Sequence, residues 1–240
     1  MEFNEVIGRR RTIRDFQNKE IPLNIIEYAI ANGFKAPTYN HLRAWDFIII
    51  NNLATKKQLI ETENLEKVPE IPVETRFIAS QSSNASQPSI SVASLLPSPV
   101  ASIVPTPVAP PQFEDDDAIL KEMYLEAIPK QKRMILDAPI VIVVVFKPKT
   151  RVDVARTIYD LNCLASVWTC IENFLLSLAE HDVYGVTYIP QQIDSLKRKL
   201  NIPDELEIAA IIPIGYKADD AKILKQKTID IKERIHFNKW

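Results

Sequence analysis

Arg9, Arg10, Arg11 and Arg14 crowd into six positions, with Thr12 among them and Ile13 and Phe16 interleaved. Guanidinium forks hold phosphate through directed, charge-assisted hydrogen bonds, so the cluster reads as an anion site. It reads equally as a charged helix end, where cations suit the dipole of the last turn. A second basic pair, Lys225 and Lys227, flanks Gln226. Alone, such a pair reads first as a solvated face. His41, His181 and His236 are scattered without metal-ligand spacing, so no metal site is expected. The four glycines form neither a dinucleotide-binding GxGxxG nor a P-loop pattern, and no GxSxG elbow is present. Any phosphorylated ligand must therefore be held mainly by side-chain cations.

Composition bounds the class. The 240 residues are 46% hydrophobic and 25% charged with a net charge of −2, values typical of a globular domain. Near-neutral charge argues against nucleic acid or an anionic membrane as the main partner. No apolar run is expected to reach the roughly 20 residues of a membrane span, and no secretory signal opens the chain. Cys163 and Cys170 lie seven apart on one helix, about 10 Å between Cα atoms and beyond disulfide reach. Two reduced thiols fit a cytoplasmic protein.

The elements that must position these groups centre on Asp160–Pro190. Leu161, Leu164, Val167, Trp168, Ile171, Phe174, Leu175 and Leu178 recur at spacings of three and four, which predicts a long, mostly buried helix. Val183 to Ile189 read as a strand ending at Pro190. Upstream, residues 3–9 read as a short helix, and Pro22 opens a second whose buried face carries Leu23, Ile26, Ile30 and Phe34. A polar loop, Lys35 to Trp45, then leads into a strand over Asp46–Asn51 and a helix over Ala54–Thr62. Ala118–Met134 reads as a helix split by Pro129, and the run Ile140–Phe146 as a strand buried on both faces. A short helix over Gln192–Leu200 and a core strand over Ile208–Tyr216 complete the set.

The stretch RRRTIRDF, followed by a helix and then APTYNHLRAW entering a strand, resembles the FMN-dependent nitroreductase family. That family begins with an Arg-Arg-Ser/Thr-x-Arg-x-Phe element. The long helix around Ile171–Leu176, the strand Gly185–Pro190 and the pair Lys225 and Lys227 also fall in the family's order, over about residues 1–65 and 118–240. One departure is that the family's Gln-Pro-Trp stands here as Arg43-Ala44-Trp45.

The resemblance implies a single α+β domain over 1–240. It is a three-layer α/β/α fold whose central, mostly antiparallel sheet carries helices on both faces. The long helix would lie at a homodimer interface, with FMN bound between subunits. The implied function is two-electron transfer from NADH or NADPH to a nitroaromatic, quinone or similar small aromatic acceptor, by a ping-pong mechanism. Flavin N5 carries that chemistry, so no catalytic side chain is assigned. Arg10, Arg11, Thr12, Lys225 and Lys227 would grip the ribityl phosphate. Arg14 would sit by the N1/O2 edge, where reduction develops negative charge. Pro37, Thr38, Tyr39, Asn40 and Arg43 would border the ring in the partner's site. Thr187, Tyr188 and Ile189 would present main chain near N5, and Gln131 would touch the ring edge. Two other readings stay open: a different flavin chemistry such as reductive dehalogenation, or a non-catalytic flavin-binding or structural dimer.

Between these blocks, residues 68–117 form a Pro/Ser-rich stretch without glycine, where the family would place a helical lid. It reads as an atypical lid or insertion. The apolar tail 228–240 needs cover, which in this family the partner subunit supplies.

Overall fold

A computed structural model describes residues 2–63, 118–127, 129–226 and 228–240 of the chain. The Pro/Ser-rich stretch 68–117 and Lys227 lie outside the described residues. The elements are α1 (Phe3–Arg9), α2 (Leu23–Gly33), β1 (Trp45–Ile50), α3 (Leu53–Thr62), α4 (Ala118–Ala127), α5 (Gln131–Asp137), β2 (Ile140–Phe146), α6 (Asn162–Ala179), β3 (Val183–Gly185), α7 (Ile193–Lys199) and β4 (Glu207–Tyr216). The strands form one sheet in the order β1-β2-β4-β3, with every neighbouring pair antiparallel.

β2 shows why the fold has three layers. Its seven residues, IVIVVVF, are all buried, so both faces of the strand must be covered. Ile140, Ile142, Val144 and Phe146 enter one core, beneath α2 and α6. Val141, Val143 and Val145 enter the other, beneath α3, α5 and α7. Period-two alternation thus divides one β-branched strand between two cores. The β2–β4 register shifts between Val144 and Val145, which pair with Ala210 and Ile208, so Ala209 is the extra residue of a bulge. Among the described residues, α2 and α6 pack closely because Gly33 lets them; a Cβ there would lie 3.0 Å from Cys170 Sγ.

Pro129 separates α4 from α5, as the sequence predicts. The strand expected over Val183–Ile189 is shorter than expected. β3 ends at Gly185, and pairing resumes in the same register only at Tyr188 with Ile211. The cause lies across the ladder. The Pro213 carbonyl accepts from Val186 N at 3.3 Å, but proline has no N–H to return on that side. The ladder therefore loses a rung at Val186–Thr187.

One expectation is corrected here. Ile158–Ala179, 22 residues, is by length and composition apolar enough to cross a membrane. Its apolar side chains have a use within the domain, because Val167, Cys170, Ile171, Phe174 and Leu178 fill the core beneath α2. At the end of the chain, Ile229, Ile231, Ile235, Phe237 and Trp240 are exposed, Trp240 at 99%.

Candidate functional site

The arginine cluster follows α1 as an extended segment that docks beside the sheet. Thr12 bridges Gly185 in parallel, and Phe16 bridges Lys217. Ile13 N donates to Gly185 O at 3.4 Å, and Gln17 N to Tyr216 O at 2.9 Å. Gly215 makes room for this approach, since a Cβ there would lie 2.8 Å from Phe16 Cδ1. Gly185 is needed for the close pairing of β3 with β4, where a Cβ would lie 3.0 Å from Pro213 O. Ile13 and Phe16 are buried in the α3/α5/α7 core, while Thr12 and Arg14 line a cavity.

That cavity measures about 500 Å³ and is lined by Arg11, Thr12, Arg14, Lys225 and Gln226 against the apolar side chains of Ile119, Met123, Ile223, Leu224 and Ile229. Its size lies within the roughly 300–1,000 Å³ of small-molecule sites. Among the described residues, neither Arg11, Arg14 nor Lys225 has a carboxylate within ion-pair distance. Arg11 Nη1 donates to the Arg10 carbonyl at 2.9 Å, which fixes the direction of its fork. Burial pulls the Arg14 guanidinium below its ordinary pKa, against the fields of Glu126 and Asp15. It stays charged, as arginine does in proteins.

Asp15 is the one carboxylate inside this segment. It is 7% exposed, and its charge is taken up by Lys130 at 2.5 Å and Arg133 at 3.7 Å. Lys130 also pairs with Glu126. Burial works against the Lys130 ammonium, yet its hydrogen bonds to Asp15 and Glu126 hold its pKa above the usual lysine value. The anions near Arg14 are thus already matched to other cations, and positive charge is left facing the cavity.

The other residues read from the sequence fall elsewhere. Arg10 is not on the cavity wall; its Nε lies 3.5 Å from Glu172 Oε1. Pro37, Thr38, Tyr39, Asn40 and Arg43 form a separate loop against the start of α6. The Pro37 carbonyl accepts from Thr169 Oγ1 at 3.1 Å, and Tyr39 N donates to Ser166 Oγ at 2.9 Å. Asn40, His41 and Arg43 all have positive φ, at 50°, 55° and 45°, a strained run for residues other than glycine. Arg43 turns back on its own loop, donating from Nε to Phe34 O at 3.0 Å. Within one chain, this loop and the cation-lined cavity are not brought together. Gln131 is the first residue of α5 and half-buried.

Beyond the ladder break, Val186 N and Tyr188 N are bonded to β4, and Gln191 N and Gln192 N to Glu63. The N–H groups of Thr187 and Ile189 have no hydrogen-bond partner among the described residues. Sequence reasoning missed Glu63. The signal available was an acidic residue at the C-terminal end of α3, where the helix dipole disfavours negative charge. Asp15 and Lys130 were missed as well, since ion pairs 115 residues apart leave no local pattern.

Comparison with known proteins agrees with this architecture. The model of the nitroreductase family matches residues 7–216. The chain belongs to the nitroreductase family. Among curated relatives, the iodotyrosine deiodinase of Thermotoga neapolitana is 22% identical over 216 residues, covering 90% of this chain and 88% of that protein. The iodotyrosine deiodinase of Haliscomenobacter hydrossis is 32% identical, but over only 68 residues. That match covers 27% of this chain and 31% of the relative, so the chain spans less than a third of it. Among solved structures, iodotyrosine deiodinase bound to FMN and 3-iodo-L-tyrosine superposes over 100% of both chains with a TM-score of 0.64 at 19% identity. A BluB-like flavoprotein from Clostridium difficile 630 does so at 0.62 and 14%. At these identities the structural likeness is one of fold.

Proposed function

We propose that this chain binds FMN and works as an oxidoreductase, passing two electrons from NADH or NADPH to a nitroaromatic, quinone or similar small aromatic acceptor. The observation that carries the reading is the cavity whose arginines and lysine have no carboxylate partner among the described residues. Three cations and the Thr12 hydroxyl are a donor set suited to a phosphate dianion, and the apolar wall opposite suits an aromatic ring system. The residues present therefore fit a phosphorylated flavin without a glycine-rich cradle.

When bound, FMN supplies the two-electron chemistry; this chain supplies position and field. Arg11, Thr12 and Lys225 would hold the phosphate. Arg14, partly desolvated, would place positive charge where negative charge develops on reduction, and low local polarity strengthens that interaction. Thr187 and Ile189 would offer N–H groups that no described residue engages to the ring edge beside Gly185. Ile119, Met123, Ile223 and Ile229 would exclude water. The loop Pro37–Arg43 would serve the site of a second subunit, in a homodimer closed by the exposed tail 228–240.

Reductive dehalogenation is a second reading, favoured by the deiodinase relatives over 90% of the chain in one case. A scaffold that retains the fold without flavin is the remaining competitor. The test is an absorbance spectrum of the purified protein, followed by anaerobic addition of NADH or NADPH. Flavin bands that bleach support a competent reductase, and turnover of a halogenated phenol against a nitroaromatic then separates the two chemistries. Protein that takes up no FMN overturns the reading.

A further inference from the structure

Glu63 is 8% exposed at the C-terminal end of α3, and three donors from a single short segment converge on its carboxylate. Tyr188 Oη donates to Oε2 at 2.8 Å, Gln191 N to Oε2 at 2.8 Å and Gln192 N to Oε1 at 3.0 Å. The Tyr188 hydroxyl is held neutral, its pKa raised first by burial and then by the Glu63 charge. The segment tied in this way is the one where the ladder to β4 has lost a rung opposite Pro213. Tyr188 is the point where pairing resumes, through Tyr188 N to Ile211 O at 2.7 Å and Ile211 N to Tyr188 O at 2.8 Å. Among the described residues no backbone bond to β4 follows it, and Pro190 has no N–H to offer.

We propose that Glu63 is a positioning residue, clamping Tyr188 to Gln192 so that the N–H groups of Thr187 and Ile189 are held at the edge of the bound ring. The inference rests on the flavin reading above. A buried carboxylate facing three donors is satisfied only in this arrangement, because breaking one bond strands a charged, desolvated acceptor. The clamp thus restores, from outside the sheet, the rigidity that Pro213 removes from within it. It also ties the segment after β3 to α3, in the core that Ile13, Phe16 and Val186 share with Leu59 and Ile60. Glu63 would not touch the flavin itself.

The test compares FMN with riboflavin, which has the same ring but no phosphate. In Glu63→Gln the amide must place its NH₂ against one of the three donors, so the segment loosens while the cation-lined cavity is untouched. Affinities for FMN and riboflavin should both fall about ten-fold, leaving their ratio at the wild-type value. The visible bands of bound FMN should move toward those of free flavin. Tyr188→Phe, which deletes one hydroxyl, should move both readouts in the same direction by a smaller amount, and it decides the matter should Glu63→Gln fail to fold. If either folded variant keeps wild-type riboflavin affinity and wild-type bands, the positioning role is wrong. A fall confined to FMN would likewise overturn it, because that pattern belongs to the phosphate site. Wild-type protein that binds neither compound removes the flavin reading itself, and the proposal with it.

Discussion

Replacing Arg11 and Lys225 together with alanine takes two cations from the cavity wall while leaving Ile13 and Phe16, which dock the segment, in place. The size of the effect follows from exposure. Arg11 is half-buried with its fork oriented by the Arg10 carbonyl, so a bond to phosphate is worth about 1.5–3 kcal/mol. Lys225 is exposed and screened, which limits it to about 1 kcal/mol. The pair should cost about 2.5–4 kcal/mol, or roughly 10²–10³ in Kd for FMN. Riboflavin should bind the double variant as it binds the wild type, since it lacks the group these cations hold. Arg11→Lys should fall between the two, keeping charge but losing the fork.

Arg10 is the control that makes this sharp. It lies beside Arg11 in sequence, yet faces Glu172, an exposed partner at 3.5 Å. Arg10→Ala should change FMN affinity by less than about three-fold, given the small worth of such pairs. Isothermal titration of apoprotein with each ligand gives both constants. A double variant that keeps the wild-type preference for FMN over riboflavin would refute the phosphate assignment. So would an Arg10→Ala variant that loses it.

Three further outcomes follow from packing. Gly215→Ala puts a Cβ 2.8 Å from Phe16 Cδ1 and 2.9 Å from Pro139 Cδ, so overpacking should cost about 1–3 kcal/mol and lower Tm by roughly 2–12 °C in a thermal scan. An unchanged Tm would show that the docked segment gives way freely. Burial pushes the Cys170 thiol up to about 12, so its thiolate is scarce until well above the ordinary thiol range. Iodoacetamide at pH 8.5 should leave Cys170 unmodified in folded protein and modify it in denaturant, as read by peptide mass. Removing residues 228–240 takes away Phe237 and Trp240, 84% and 99% exposed, and should convert a dimer to a monomer by light scattering. An intact chain already monomeric at micromolar concentration would refute the tail's role.

What the sequence made legible was what local pattern controls. The alternating burial of Ile140–Phe146, the three–four spacing along α6 and the break at Pro129 each depend on neighbours in the chain, and each is found where expected. What was not legible depends on residues far apart. The shortened β3 is caused by Pro213, 27 positions from Val186, through a missing N–H that no window around β3 contains. The three donors on Glu63 come from 125 to 129 positions away. Arg10 and Arg11 are indistinguishable by type and neighbourhood, and only the position of Glu172 on α6 separates them.

The arginine segment also shows why site and stability cannot be tuned apart here. Ile13 goes into the core while Thr12 and Arg14 line the cavity, so one extended stretch serves both by alternation. A slip of one residue would drive Arg14 toward the core and turn Ile13 toward the ligand. The backbone bonds at Ile13 and Gln17 are generic and would tolerate that slip. Asp15 would not. Its buried carboxylate meets Lys130 and Arg133, and a slip would turn it with Ile13 toward the cavity, taking it from those cations and setting a negative charge where the phosphate would bind. Such a pair contributes little net stability, because desolvation offsets much of the attraction, yet the penalty for breaking it is several kcal/mol. Asp15 therefore selects the register in which the cations face the cavity, and Asp15→Asn should both lower Tm and loosen FMN binding; a variant that loses Tm but keeps wild-type FMN affinity would refute the register role.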